Sequence, residues 1–268
     1  MDRMPSAPPS QPGQATPYRS GFVALVGRPN SGKSTLTNAL VGEKVAITSA
    51  KPQTTRRAIR GISTTQTSQL ILVDTPGLHR PRTLLGERLN DLVRETLLDV
   101  DVVGFCLPCD QRVGPGDAFI ARELADLRTA RKRPIVAIAT KSDLVTKQRL
   151  AEHLIDIDQL GEWDAIVPCS GKTGSQVLEV RDVLGSFLPE GPQLYPADAV
   201  TDESTEARIA ELVREAALEG VRDELPHSLA VVVDEITPRD EEPGDRRQPL
   251  LDVRVSVYVE RDSQKAIV

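Results

Sequence analysis

Gly27-Arg28-Pro29-Asn30-Ser31-Gly32-Lys33-Ser34 stands between the apolar run FVALV (22–26) and a stretch of helical spacing, 33–41. The eight residues match Gly-x4-Gly-Lys-[Ser/Thr], directly after one buried strand and directly before a helix. Glycine lets the backbone wrap, so that consecutive N–H groups and the helix N-terminus face phosphate oxygens. Lys33 adds a point charge at the β and γ phosphates, and the Ser34 hydroxyl is a ligand for Mg2+. The competing reading is a tight turn with incidental glycines, which the complete match in strand-to-helix context disfavours. Asn30, Ser31, Gly32, Lys33, Ser34 and Thr35 are thus the candidate phosphate-loop residues.

Outward from this loop, short apolar runs alternate with longer amphipathic ones. FVALV, LILVD (70–74), DVVGFCL (101–107), PIVAIAT (134–140) and AIVPC (165–169) read as strands buried on both faces. The segments 33–41, 84–98, 116–129, 147–157 and 175–188 between them suit helices, and 58–64 suits one further strand. The fold class is therefore α/β, a mostly parallel sheet with helices on both faces. Residues 1–19, rich in Pro, Ser and Gln, bury almost nothing and are expected to be a disordered tail. Three prolines in 188–204 break the periodicity and predict a linker over 190–203. After it comes a smaller α+β unit, 204–268. Its helix carries Ile209, Leu212, Val213 and Ala216 at helical spacing, with Asp202 or Ser204 as N-cap. Its strands are SLAVVVDEI (228–236) and LLDVRVSVYVE (250–260); the second alternates, with Leu251, Val253, Val255, Val257 and Val259 on one side.

Four more stretches complete a nucleotide site. Asp74-Thr75-Pro76-Gly77 closes a buried strand where an acid reaches Mg2+ through water and a glycine N–H senses the γ phosphate. Between the two motifs, Pro52-Gln53-Thr54-Thr55-Arg56 lies in a polar stretch that fits a switch segment. Thr55 is favoured over Thr54 as the hydroxyl that completes Mg2+ coordination, giving Ser34, Thr55 and Asp74 as the metal set. Thr140-Lys141-Ser142-Asp143 follows the run PIVAIAT and resembles the [Asn/Thr]-Lys-x-Asp motif, in which the Asp143 carboxylate accepts from the N1 and N2 hydrogens of guanine and the Lys141 stem covers the ring. Adenine offers no matching donors. Ser170-Gly171-Lys172, after the last strand, is a candidate for presenting backbone N–H to guanine O6, although any Ser-Gly after a strand makes a turn.

Composition narrows the alternatives. The 268 residues carry a formal net charge of −6, with 27% charged, 39% hydrophobic and 3% aromatic residues. That is ordinary for a globular chain and poor for a surface that stacks on many bases. Residues 201–268 hold 17 acidic and 9 basic side chains, so bulk charge does not draw a polyanion to that end. No run of about 18 apolar residues crosses a bilayer and the first twenty residues lack a secretory signal, so the chain is expected to be cytoplasmic. Cys106, Cys109 and Cys169 should be reduced thiols. Cys106-Leu107-Pro108-Cys109 has no second Cys or His pair nearby to complete a zinc site. His79, His153 and His227 share no catalytic spacing, and Trp163 reads as a packing residue.

The sequence resembles the Era family of ribosome-assembly GTPases, within the translation-factor-related class. The resemblance rests on GRPNSGKSTLTNALVGEKVAITSAKPQTTR (27–56), DTPGLHRP (74–81), LYPADAVTDE (194–203), ELPHS (224–228) and VERDSQK (259–265), and covers nearly everything from residue 20 onward. It implies a GTPase domain over 20–189, binding GTP and GDP with Mg2+, and a KH RNA-binding domain acting on small-subunit ribosomal RNA. It further implies cytoplasmic location, sometimes peripheral at the inner face of the membrane. A monomer is expected, and no DNA partner. Lys33, Thr55 and Gly77 are the catalytic candidates. Leu78 stands where many small GTPases have a water-orienting glutamine, so intrinsic turnover is expected to be slow. Asn30 matches the asparagine that in similar loops holds a monovalent cation, which implies K+-stimulated hydrolysis; a loop-stiffening Asn30 is the alternative. In the family a GxxG loop follows SQK, whereas Ser263-Gln264-Lys265 is followed here by Ala266-Ile267-Val268. The KH-like unit over 204–268 is therefore expected to lack that loop, and the alternative function is a slow-hydrolysing guanine-nucleotide-binding protein without specific RNA binding.

Overall fold

A computed structural model describes residues 17–48, 59–78, 84–219, 229–239 and 250–259. Thr54, Thr55, His79, His227, Ser263, Gln264 and Lys265, and most of the predicted tail, lie outside them.

Six strands form one sheet in the order β2-β3-β1-β4-β5-β6. They are β1 (Arg19–Val26), β2 (Ile59–Thr64), β3 (Ser68–Asp74), β4 (Val102–Pro108), β5 (Ile135–Thr140) and β6 (Ala165–Pro168). Every pairing is parallel except that of β2 with β3, which run antiparallel around a short turn. Continuous apolar runs are what a strand covered on both faces requires, and successive residues do face opposite sides. Ala24 and Val26 join one core with Val103, Phe105 and Ala137, under α2 (Leu84–Asp99), α3 (Pro115–Arg131) and α4 (Lys147–Asp158). Val23 and Leu25 join the other with Leu70, Leu72 and Ile138, under α1 (Lys33–Val41) and α5 (Val177–Ser186). The chain leaves β1 toward β3 on one side and β4 on the other, so the carboxyl ends of the central strands open a crevice at the point where strand order reverses.

The stretch after α5 is stitched to the sheet rather than loose. Gln69, fully buried on β3, accepts at Oε1 from the N–H groups of Leu194 and Tyr195 and donates from Nε2 to the Tyr195 carbonyl. Ile62 N donates to Val200 O at 2.8 Å, and Arg60 pairs with Asp202 at 2.8 Å. Asp202 is thereby engaged on β2, and the N-cap of the next helix is Ser204, whose Oγ accepts from Ala207 N.

That helix, α6 (Thr205–Glu219), packs against β7 (Leu229–Pro238), which pairs antiparallel with β8 (Leu251–Val259). Its buried face departs from the predicted stripe: Leu212 is 47% exposed, while Arg214 and Glu215 are buried. Buried charges persist only when paired. Arg214 makes two hydrogen bonds to Glu211, and Glu215 accepts from Thr48 N and Thr48 Oγ1 and pairs with Lys44 at 2.5 Å. Contact with the segment after α1 thus overrides apolar periodicity. The alternating side of β8 is only partly covered, with Leu251, Val253 and Val257 exposed.

His153 on α4 is 1% exposed, and burial is the largest influence on its imidazole, pushing the pKa below the ordinary 6.5. The unfolded chain therefore takes up the proton first. Stability from this site is complete above about pH 6.5 and falls as pH drops through that value, levelling off below the folded pKa. Thermal midpoints should decrease from pH 7.5 to pH 5.5, and His153→Gln should flatten the decrease. An identical pH slope in the variant would assign the loss to other groups.

Candidate functional site

The turn from β1 into α1 is built from backbone shapes that few residues adopt without strain. Asn30 has φ 62° and Gly32 φ 90°, both left-handed. Gly32 occupies the N-cap of α1 without any side-chain cap, and the first turn of the helix holds no acid. The positive end of α1 thus has neither a side-chain cap nor an acid in its own first turn, the arrangement that suits a bound anion.

Lys33 is 6% exposed, and its ammonium donates to the carbonyls of Gly27 (3.2 Å) and Arg28 (3.1 Å). Burial pushes its pKa below the usual lysine value, while the nearby Asp74 carboxylate acts in the opposite direction. Asp74, at the end of β3 and fully buried, accepts from Ser34 Oγ at 2.6 Å. Two of the three predicted metal ligands are therefore within one hydrogen bond of each other, a hard oxygen pair suited to Mg2+. Thr55, the third, is outside the described residues.

Thr75 Oγ1 donates to Leu25 O, and Leu78 N donates to Gly27 O at 3.0 Å, pinning the start of the 75–78 segment to β1 and its end to the phosphate loop. Gly77 has no space for a larger residue: a Cβ there would lie 2.6 Å from Pro29 N. Leu78 itself is buried in the core under α2 and α3.

At the other end, a cavity of about 220 Å3 is lined by Gly32, Thr35 and Leu36 from the loop and α1, by Thr140, Lys141, Asp143 and Leu144, and by Ser170, Gly171 and Lys172. Three motifs spread over residues 32–172 meet there because β1, β5 and β6 are parallel and end on one edge. Lys141 takes φ 58° and opens a single 3-10 turn, Ser142–Leu144, that presents Asp143 exposed at the rim. Ser142 N donates to Cys169 O, joining this turn to the end of β6. Gly171 sits so close to α1 that a Cβ would fall 3.1 Å from Thr35 O.

Thr140 plays a part its motif position did not suggest. It is buried, and its Oγ1 donates to Ser31 O at 2.6 Å. The hydroxyl proton is spent on the phosphate loop, so Thr140 ties the two halves of the site together. Sequence reasoning missed Asp110, whose Oδ2 lies 3.0 Å from Lys141 Nζ, and Leu144, which lines the cavity. Neither belongs to a motif, and no local pattern singles them out.

Cys106, Cys109 and Cys169 are buried thiols. Burial pushes Cys109 and Cys169 up to about 12 and Cys106 higher still, so they carry no thiolate at neutral pH. Trp163 packs on Phe105 with ring centroids 5.6 Å apart. Among the described residues, no helix is long and apolar enough to cross a membrane.

Residues 22–141 match a family model described as 50S ribosome-binding GTPase. GTPase Era of Streptomyces coelicolor is 61% identical over 258 residues, covering 94% of this chain and 80% of that protein. GTPase Era of Mycolicibacterium paratuberculosis is 60% identical over 254 residues, covering 94% and 83%. Among solved structures, Era in complex with MgGDPNP and nucleotides 1506–1542 of 16S ribosomal RNA superposes with a TM-score of 0.83 at 32% identity, covering 93% of this chain and 82% of that one. An Aquifex aeolicus Era variant bound to GDP.AlF4− matches with the same values.

Proposed function

The chain belongs to the Era family of GTPases, and from that premise we propose that it is a GTP-hydrolysing switch that serves small ribosomal subunit assembly and engages small-subunit rRNA. The observation that carries this reading is the cavity in which Gly32, Thr35, Thr140, Lys141, Asp143, Ser170 and Gly171 converge beside the uncapped N-terminus of α1. Support for the nucleotide and the RNA comes from the Era relative solved with MgGDPNP and 16S rRNA.

In this reading Gly32, Lys33, Ser34 and Thr35 hold the phosphates, with Asn30 and Ser31 shaping the bend. Ser34, Asp74 and Thr55 would hold Mg2+. When bound, Mg2+ would supply charge neutralisation at the transferring phosphoryl group. Lys33 places positive charge at the β–γ bridge, and the Gly77 N–H reads the γ phosphate. Asp143 selects guanine by accepting from N1–H and the 2-amino group, Lys141 covers the ring, and Ser170, Gly171 and Lys172 close on O6. The GTPase unit spans 20–189, the linker 190–203, and the KH-like unit 204–268.

Turnover is intrinsically slow in this proposal. Leu78, the neighbour of Gly77, is apolar and sunk in the core, so it cannot orient the attacking water. In the same reading Asn30, which is exposed on the bend, helps hold a K+ ion that would stabilise the charge developing on the phosphates. One assay tests both the activity and the partner: phosphate release from GTP in K+ or Na+ buffer, with and without small ribosomal subunits. The expected result is a basal rate raised about tenfold or more by K+ and raised again by the subunit. Equal rates in the two salts would remove the cation. No response to the subunit would favour a slow guanine-nucleotide-binding protein without specific RNA binding.

A further inference from the structure

Between β4 and α3 the chain runs through residues 109–114, a stretch that none of the nucleotide motifs includes. Asp110 within it and Asp117 just beyond it, in the first turn of α3, nevertheless reach opposite ends of the site. Asp110 holds Lys141 at the base end, as described above. At the phosphate end Arg28, the second residue of the phosphate loop, donates from Nε to Asp117 Oδ1 at 2.7 Å. The Asp117 side chain is 1% exposed and that of Arg28 25%. The second carboxylate oxygen of Asp117 accepts from Gly114 N at 2.9 Å, which fixes the acid in the first turn of α3, near its positive end. Clearance is equally specific, since a Cβ on Gly116 would fall 2.8 Å from Arg28 Cδ. The arginine stem therefore lies directly on the backbone of α3. On the opposite flank Gly77 presses on Pro29, so the bend from Gly27 to Asn30 is gripped from two sides.

We infer that Asp117 is a positioning residue for nucleotide binding, which through Arg28 sets the phosphate loop in the shape that receives the phosphates. The inference rests on the reading of this loop and cavity as a guanine-nucleotide site. A left-handed residue such as Asn30 keeps its conformation only where the surroundings over-determine it. The charge-assisted bond from a buried acid, itself locked by a helix terminus, is such a constraint. Without it the loop samples other shapes, and a nucleotide must order it on arrival, which lowers affinity.

A simple helix cap would make a different prediction, because losing a cap lowers stability and leaves the phosphate loop as it was. Binding of fluorescently labelled GDP and GTP in Mg2+ buffer, measured well below the thermal midpoint of each protein, separates the two. Asp117→Asn keeps an oxygen for Gly114 N but loses the charge, and Arg28→Met keeps the stem but loses the donor. Each single variant is expected to bind about tenfold more weakly, and the double variant no more weakly than the worse single one. KM for GTP should rise while kcat at saturation stays within about twofold. Arg28→Met, at a partly exposed position, decides the matter if Asp117→Asn does not fold. Singles that bind within about twofold of the wild type, or losses that add in the double variant, would overturn the inference. A wild-type chain that binds neither nucleotide would sink the nucleotide reading, and this inference with it.

Discussion

Asp143→Asn is expected to weaken GDP and GTP binding on the order of a hundredfold or more and to bring xanthine nucleotides into the site. Guanine presents two donors on one edge, N1–H and the 2-amino group, and a carboxylate accepts from both. An asparagine offers one acceptor and one donating NH2, so the 2-amino group would face another donor. Xanthine carries a carbonyl at C2 and keeps N1–H, which matches the amide. A site built to hydrogen-bond a particular edge rejects the mismatched one strongly, because its polar groups are otherwise left unpaired. Asp143 stands exposed on the turn Ser142–Leu144, so the exchange should leave the thermal midpoint of the free protein unchanged and isolate recognition from folding. Competition between GDP and XDP for the variant reads the switch. Undiminished GDP affinity would mean that the base is not read at position 143.

How much of this was legible in the sequence depends on how local the responsible physics is. The phosphate loop was fully legible, because strand, glycine-permitted bend and helix start follow one another in eight residues. Strands β1, β3, β4 and β5 were legible for a related reason: a strand covered by helices on both faces must be apolar at every position, and few elements of any other kind carry so short and unbroken a run. β2 was visible only as a weaker run with Arg60 in it, since its outer edge meets the 194–202 stretch through Ile62, Arg60 and Asp202. That strap reads in the sequence as a proline-rich break, yet its attachment depends on Gln69, a buried polar residue near the start of β3 whose bonds to Leu194 and Tyr195 span more than 120 residues.

The unreadable parts are those where a long-range contact overrides a local rule. Periodicity on α6 pointed Leu212 inward, and the structure instead buries Arg214 and Glu215, because Glu215 meets Thr48 and Lys44 beyond the end of α1. Thr140 belonged to the base motif by sequence position, but its hydroxyl serves the phosphate loop by reaching Ser31 O. Asp110 and Asp117 belong to no motif at all. Their placement follows from the way β4 ends beside β1 and β5, which is a property of strand order rather than of neighbouring residues.

Lys33→Ala is expected to reduce affinity for GTP, and turnover at fixed GTP, by roughly two to three orders of magnitude, the scale of losing one pre-placed charge at a transition state. The same exchange should shift the thermal midpoint of the nucleotide-free protein by no more than a few degrees. These two expectations together identify the role of the lysine. Its ammonium is buried, and its pKa is held down by the loss of water around it. Without phosphates its hydrogen bonds among the described residues are to two carbonyls of the loop. Removing it forfeits those two bonds, which costs about 1–3 kcal/mol for groups left unsatisfied, but it also removes a desolvated charge that the fold otherwise has to carry. The two effects oppose each other in the free protein. With a triphosphate bound they act together, since the ammonium then faces anionic oxygens at the end of α1 that no side chain caps. A lysine retained for structure alone would show the reverse pattern, a large fall in the midpoint with nucleotide affinity intact, and calorimetric titration of GTP alongside thermal melts of the free variant distinguishes the two.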